Sequence, residues 1–402
     1  MRLLFLSTWF PHPPDNGSKL RAWHLLRALG QGHEVHLLSF AFATARADAP
    51  GELHRLCREI QVVPIDPFLA NQAGALRTFL SPRPVASRPV PAMSQLAARA
   101  LRSHPFDAVI ASTGMMVDYA LQGPPGAPRI LEEHNAMTRW AWESYQQAGS
   151  PLQRARRWLS WRKGRRYEAR TYSRFDLITM VSQQDRQATQ ETIGAAGPRV
   201  EVVPNGVDCT HNRPGLAPPR PGRLVFNGSL TYSANYDAMR WFLAEVWPRI
   251  RAALPSATLT ITGSTEGVDL TGLALDDSVT LTGFVEDVRQ PVAEATVAVA
   301  PIRQGGGTRL KILEAMALGT PVVATAKGAE GHDAVDGEHL LLADDPAHFA
   351  RQTLRLLGGD ELRGQLAANA RRLVQQRYDW DAIGRRFVAL VEETVAQGKA
   401  MP

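Results

Sequence analysis

Three residues, Thr308, Lys311 and Glu314, follow one another at steps of three directly after the triplet Gly305-Gly306-Gly307. They offer a hydroxyl, a cation and a carboxylate. At helical spacing they line one drifting stripe. Glycine backbone can approach a ligand closely, and the free N–H groups of a first helical turn point at it with the positive end of the helix dipole. This chemistry suits an anion, and we expect a nucleoside diphosphate to lie here.

These residues need a strand before them and a helix under them. The apolar run 296–301 reads as a buried parallel strand. The pattern 308–319 reads as a helix closed by Gly319 and Pro321. The same alternation runs through the whole chain. Residues 2–7 form a strand, a loop leads to Gly17, a helix runs to Gly30, and 34–40 is the next strand. This is a βαβ unit, whose ligands bind beyond the carboxyl ends of the strands. Gly17 is therefore a candidate edge of the site, with Lys19 and Arg21 as candidate phosphate contacts. The alternative is that Gly17 only opens the helix and both cations are solvated.

A helix near 51–58 and a strand near 60–64 follow. The proline-rich segment 67–93, with room for a short helix at 70–80, either meets an acceptor or a membrane surface or is a plain surface excursion. Strands are expected at 106–112 and 129–133. The second ends in Glu132-Glu133-His134-Asn135, which places His134 where chemistry occurs in such sheets, although a lone His is more often structural. Residues 137–174 read as one long helical region, rich in Arg with interleaved Trp158 and Trp161. Such a helix either lies on an anionic bilayer or is solvated and packed by one apolar stripe. The spread of charge round it favours the second. After a strand at 175–181, Ser182 with Asp185 forms a capping-box-like start.

A strand at 200–203 and the turn at 204–208 close the first half, and the proline- and glycine-rich stretch to 222 reads as a linker. The second half restarts at 224–226, followed by Asn227-Gly228-Ser229. One helix is expected over 234–253, with Trp241, Phe242, Val246 and Ile250 as its apolar face, then strands at 258–262 and 279–281. We thus expect an α/β protein of two Rossmann-like, doubly wound domains, 1–205 and 223–377, joined by the linker 206–222. A last helix, about 379–398, is expected to pack back on the first domain. Two such domains in series predict a cleft between them.

The composition agrees and excludes other classes. With 402 residues there is chain enough for two cores. A net charge of +6 suits a phosphate-bearing ligand or an anionic surface. It is too diffuse to imply nucleic acid, and no nucleic-acid motif accompanies it. Cys57 and Cys209 make no zinc or redox pattern, so a reduced, cytoplasmic protein is expected. No stretch reaches the ~18 apolar residues of a membrane span.

In this order the motifs resemble the retaining glycosyltransferases of the GT-B fold, family 4. The features are the Gly17 loop, His134-Asn135, the run Val203-Pro204-Asn205-Gly206-Val207-Asp208, Gly228, Gly283-Phe284-Val285, and Glu314-Ala315-Met316-Ala317 with Gly319 and Pro321-Val322-Val323. The resemblance implies roles. Glu314 would hold the ribose hydroxyls, because a carboxylate accepts two hydrogen bonds from a vicinal diol. Phe284 and Val285 would pack on the nucleobase, and His134 would contact the transferred sugar near the reacting carbon. Gly17 would let its loop reach the diphosphate.

Two departures stand out. Gly306 occupies the position of the family's first carboxylate, eight residues before Glu314. The sugar hydroxyls would then be met by the backbone N–H groups of Gly306, Gly307 and Thr308. Ser229 stands where the family often has arginine. Lys311 is the natural substitute, with Arg309 as a second candidate. The GGGTRLKILEA form resembles transferases of surface-polysaccharide assembly.

The expected reaction is metal-independent, retaining transfer of a hexose-type sugar from a nucleoside-diphosphate sugar to an acceptor hydroxyl. The implied catalytic residues are His134 and Lys311. Donor contacts would come from Gly17, Arg21, Gly228, Ser229, Phe284, Val285, the triplet Gly305 to Gly307, Thr308, Arg309 and Glu314. No Asp-x-Asp motif accompanies the glycine stretch, no cofactor is expected, and the departing phosphate would take the acceptor proton. The partners are the nucleotide sugar and a glycan or lipid-linked acceptor, with room for peripheral contact with an anionic inner membrane surface. The rival readings are a nucleotide-sugar epimerase and a non-catalytic nucleotide-sugar-binding protein.

Overall fold

Helical crossovers between successive strands force parallel pairing. The computed structural model of the protein, which describes residues 1–42, 51–68, 89–123 and 126–400, follows that rule throughout. The expected helix at 70–80 lies outside the described residues. Two units form, Met1–Pro204 with Ile383–Pro402, and Asn205–Ala382.

Among the described residues the first unit's sheet has seven strands in the order β3-β2-β1-β4-β5-β6-β7. They are β1 (Arg2–Ser7), β2 (Glu34–Phe40), β3 (Glu59–Val63), β4 (Ala108–Ser112), β5 (Arg129–Glu132), β6 (Leu177–Met180) and β7 (Arg199–Val202). The order reverses between β1 and β4, which pair in parallel from Leu3 with Ala108 to Ser7 with Ser112. Leu4, Leu6, Val109, Ala111 and Leu131 carry the core on one face of this sheet. The last helix, Trp380–Ala400, belongs to this unit from Ile383 onward. Lys399 is tied to Asp107 at 2.8 Å and Arg199 to Glu393 at 3.1 Å.

The second unit's sheet runs β10-β9-β8-β11-β12-β13. Its strands are β8 (Arg220–Asn227), β9 (Thr258–Thr262), β10 (Val279–Gly283), β11 (Ala295–Ala300), β12 (Val322–Ala324) and β13 (Leu341–Leu342). Its order reverses between β8 and β11. Every residue of β11 is buried, as a strand covered on both faces requires.

Several boundaries differ from expectation for stated reasons. The helical region 137–174 breaks into Met137–Gln146 and Pro151–Tyr172. Gly149 and Pro151 lie at the break, and the Ser150 hydroxyl accepts from the Gln153 N–H to start the second helix. The helix expected over 234–253 contains one wide π turn, Phe242–Val246. Pro248 has no N–H to give the carbonyl four residues back, and the wide turn absorbs that gap. The stretch expected as a linker is docked in the second unit. Val207 and Cys209 are buried in its core, and Arg371 donates to the Cys209, Asn212 and Ala317 carbonyls. The capping box at Ser182 forms as expected, with its hydroxyl accepting from the Asp185 N–H.

Candidate functional site

The reversal point of each sheet is where a ligand fits, beyond the carboxyl ends of the strands. In the second unit those ends are Asn227, closing β8, and Ala300, closing β11. The glycine loop follows β11 and leads into the helix Leu310–Leu318. Its turns need glycine at two points, Gly305 with φ 94° and Gly307 with φ 79°.

Arg309 shapes this loop. Its guanidinium donates to the carbonyls of Gln304 at 3.3 Å, Gly305 at 2.7 Å and Gly306. The side chain is 9% exposed. The loop's carbonyls thus turn inward to a buried cation. Its amides, from Gly305 to Thr308, donate to no protein acceptor among the described residues. Successive free N–H groups form an anion-binding nest. Arg309, expected as a donor contact, instead supports the loop, since both its terminal nitrogens donate to loop carbonyls. His332, partly buried beneath, accepts the Arg309 N–H on Nε2 at 3.2 Å. Burial and the nearby Arg309 charge lower the imidazole to about 4, so it stays neutral and able to accept.

The helix begins at Leu310, so Thr308 precedes it, and only Lys311 and Glu314 share its stripe. Asn205 donates to the Thr308 hydroxyl at 2.8 Å. Lys311 Nζ donates to Asn235 Oδ1 at 2.9 Å and lies 4.0 Å above the ring centre of Phe226. Burial and the Arg309 charge bring its ammonium down to about 7. Glu314 accepts from Asn227 Nδ2 at 2.8 Å. Burial raises the Glu314 carboxyl, with Lys311 and Asn227 pulling against it. Low polarizability thus pushes both groups toward neutrality.

Gly228 completes the arrangement. A Cβ there would stand 2.4 Å from Lys311 Nζ and 2.8 Å from Asn235 Nδ2. Gly228→Ala should therefore leave the melting temperature within a few degrees of the wild type, because the far end of a flexible side chain can yield. It should weaken nucleoside diphosphate binding by about tenfold, the effect of one displaced charged contact. Calorimetric titration measures it, and unchanged affinity would detach Gly228 from the site. Ser229 makes only neutral bonds, to Ser264 O at 3.0 Å and the Thr231 hydroxyl at 2.7 Å. Phe284 is 77% exposed and follows β10 at the sheet edge, with Val285 partly buried beside it.

In the first unit, His134 follows β5. Its Nε2 meets Glu132 Oε2 at 3.1 Å and its Nδ1 meets Ser18 Oγ at 3.2 Å. A carboxylate only accepts, so Nε2 carries a proton toward Glu132. Trp9 stacks on the imidazole with centroids 6.2 Å apart. Gly17 opens the first helix, Gly17–Gly30, and is exposed. Two of that helix's amides, of Ser18 and Lys19, already bond Asn16 Oδ1.

Arg21 is a second correction. Its guanidinium pairs with Glu132 at 2.5 Å and donates to the Val203 and Pro204 carbonyls, both at 2.9 Å. At 1% exposure it is a core ion pair, not a phosphate contact. Burial alone would raise the Glu132 carboxyl, but Arg21 and His134 outweigh it and hold it far below the usual carboxylate range. Lys19 is buried too and pairs with Asp15 at 2.9 Å.

The sequence did not single out Asn227 and Asn235, which orient Glu314 and Lys311, or Tyr232 beside Gly305. Asn227 had a signal, its place at the carboxyl end of β8. The one Asp-x-Asp near the chain end, Asp379 to Asp381, is structural, for Asp379 accepts from the Cys209 and Asp381 amides.

Two parallel α/β units, one bearing an amide nest beside a lysine and a carboxylate, define a protein of the GT-B fold. Residues 16–211 match the family Glycosyltransferase Family 4, and residues 221–358 match Glycosyl transferases group 1. The chain belongs to this glycosyltransferase family. It is 31% identical over 230 residues to the phosphatidyl-myo-inositol mannosyltransferase of Mycobacterium leprae, a match spanning 54% of this chain and 59% of that one. Sucrose-phosphate synthase from Thermosynechococcus elongatus shares the fold at a TM-score of 0.73 and 18% identity, over 99% of this chain and 100% of the other. So does the Anabaena protein HepE, solved with UDP and glucose, at 0.69 and 17%, over 98% and 100%.

Proposed function

We propose that the protein transfers a sugar from a nucleoside-diphosphate sugar to an acceptor hydroxyl, with retention at the anomeric carbon and without a metal ion. The observation that carries this reading is the glycine loop, whose carbonyls bond buried Arg309 and whose amides are left to a ligand. In the reaction the bond from the anomeric carbon to the diphosphate oxygen breaks, and that oxygen gains charge. The loop amides and the Lys311 ammonium stabilise it, as preorganised donors do best where water is excluded. The new bond forms from the acceptor oxygen to the same carbon, and the acceptor proton goes to the departing phosphate. Glu314, held by Asn227, takes the ribose hydroxyls, Phe284 and Val285 the base. His134 contacts the sugar. The acceptor is a glycan or lipid-linked hydroxyl in cell-surface polysaccharide or glycolipid synthesis, a reading supported by the name of the mannosyltransferase relative. The site acts in the cytoplasm, where nucleotide sugars are the available donors.

A thermal-shift comparison of UDP, GDP, ADP and TDP, followed by transfer assays with the matching donors in EDTA, tests this. One nucleoside diphosphate should raise the melting temperature, and transfer should persist in EDTA. Activity abolished by EDTA and restored by magnesium would overturn the metal-free mechanism. Binding without any hydrolysis or transfer would make the protein a non-catalytic binder, and an altered sugar nucleotide formed without acceptor would make it an epimerase.

A further inference from the structure

The basic character of this chain is concentrated in one element. Residues 137–174 hold ten of its 45 Lys and Arg and two of its 39 Asp and Glu, a net +8 against +6 for the whole protein. The rest is slightly acidic. That segment is the helical hairpin Met137–Gln146 and Pro151–Tyr172. Its arms are locked together by Trp142 against Trp161, ring centres 4.6 Å apart, and by Arg157 donating to the Ser144 carbonyl at 2.7 Å. Its root is fixed inside the first unit, where Tyr172 donates to Glu133 and Thr138 to Glu168.

Beyond that root the long arm is uncovered. Its only buried residues are Glu168 and Tyr172, so no apolar stripe packs it onto the unit. Large apolar side chains stand in solvent along the hairpin, with Leu152 81%, Trp140 48% and Trp158 38% exposed. At 100° per residue Arg154, Trp158, Arg162 and Arg165 fall within about 80° of one another. Arg162 lies 5.1 Å over the Trp158 ring and Arg165 5.7 Å over Trp161. The exposed side thus sets guanidinium groups around the Trp158 indole.

Guanidinium forks bond phosphate oxygens, and indole rests at the boundary between headgroup and acyl chain. Polyanions in solution would use the arginines and leave the exposed Trp158 indole among them wet, whereas a bilayer surface uses both. We propose that the hairpin 137–172 docks the protein on the surface of an anionic phospholipid bilayer. No helix among the described residues is long and apolar enough to cross a membrane, so the contact is peripheral. It stands independently of the transfer reading.

Flotation of the full chain with vesicles tests it. One set is phosphatidylcholine alone and the other contains about one third phosphatidylglycerol. Binding is expected to the anionic set only. It should fall steeply between about 0.1 M and about 0.5 M salt as the screening length shortens from about 10 Å to about 4 Å. The charge-reversing triple variant Arg162→Glu, Arg165→Glu, Arg166→Glu should weaken partitioning at least about 100-fold. The neutralising pair Arg154→Gln, Arg162→Gln, both on that side of the helix, keeps the test sharp should the triple variant lose its fold, and should weaken it about tenfold or more. Trp158→Ala should lower the salt-resistant remainder. Equal binding to both vesicle sets, no binding to either, variants that bind like the wild type, or displacement of the protein from vesicles by a short RNA duplex would overturn the proposal.

Discussion

Replacing Lys311 by methionine is expected to lower kcat by about 10²- to 10³-fold, the usual effect of losing one preorganised donor to a developing oxyanion. KM for the donor should change far less, because much of the charge on the leaving oxygen appears only in the transition state. The pH dependence makes the test specific. Burial and the Arg309 charge bring the Lys311 ammonium down to about 7. A bound diphosphate favours the charged form. Donor affinity should therefore be flat below about pH 7 and weaken as the pH rises above it, since binding then requires uptake of a proton. In Lys311→Met that slope should vanish. Stability gives an independent sign. The folded pKa lies below the ordinary lysine value, so the stability this depression supplies at high pH is lost as pH falls through about 7. The methionine variant carries no such cost and should be more stable than the wild type at pH 6. A lysine with a purely structural role would show lower stability on replacement and unchanged turnover, and that pair of results would remove it from the mechanism.

Glu314→Ala should act on the other side of the ledger of rate and affinity. It removes an acceptor that Asn227 aims and keeps the Lys311 side chain in place. The loss of hydrogen bonds from a charged acceptor, about 1.5 to 3 kcal/mol, corresponds to about a 10- to 150-fold weaker nucleoside diphosphate. Glu314→Gln, which keeps one acceptor oxygen, should lose less. Asn227→Ala should shift affinity in the same direction by a smaller factor, because it frees the carboxylate without deleting it. Calorimetric titration of the diphosphate and a KM-against-kcat comparison check all three. A fall in kcat at unchanged affinity would give Glu314 a role in the chemical step instead.

The alternation of strand and helix was legible because buried parallel strands are nearly continuous apolar runs, as in β11 and β4. Boundaries were less so where composition misleads. Arg220 to Arg223 look like linker, yet they start β8, since an exposed strand end tolerates charge and Pro. In the site, Lys311 and Glu314 could be paired by spacing alone, for they sit on one helix. The directions of Arg21 and Arg309 could not. Each cation is turned inward by partners far along the chain or across a loop, Glu132 in one case and three carbonyls in the other. Charge in a one-dimensional reading points outward by default, and the fold decides otherwise. Asn227 and Asn235 escaped notice because an amide acquires its meaning only from the group it orients.

The inward-facing carbonyls of the glycine loop bear on substrate choice. A carboxylate at Gly306 would recognise a particular pair of neighbouring hydroxyls and reject their epimers. A row of amide hydrogens meets any oxygen at the right distance, whether it leaves the ring axially or equatorially. On the proposed reading, this loop would read charge and be poor at stereochemistry. Discrimination among donor sugars then falls to side chains elsewhere in the protein, and changing the donor preference of this enzyme should be a matter of substituting those residues while the glycine loop is kept.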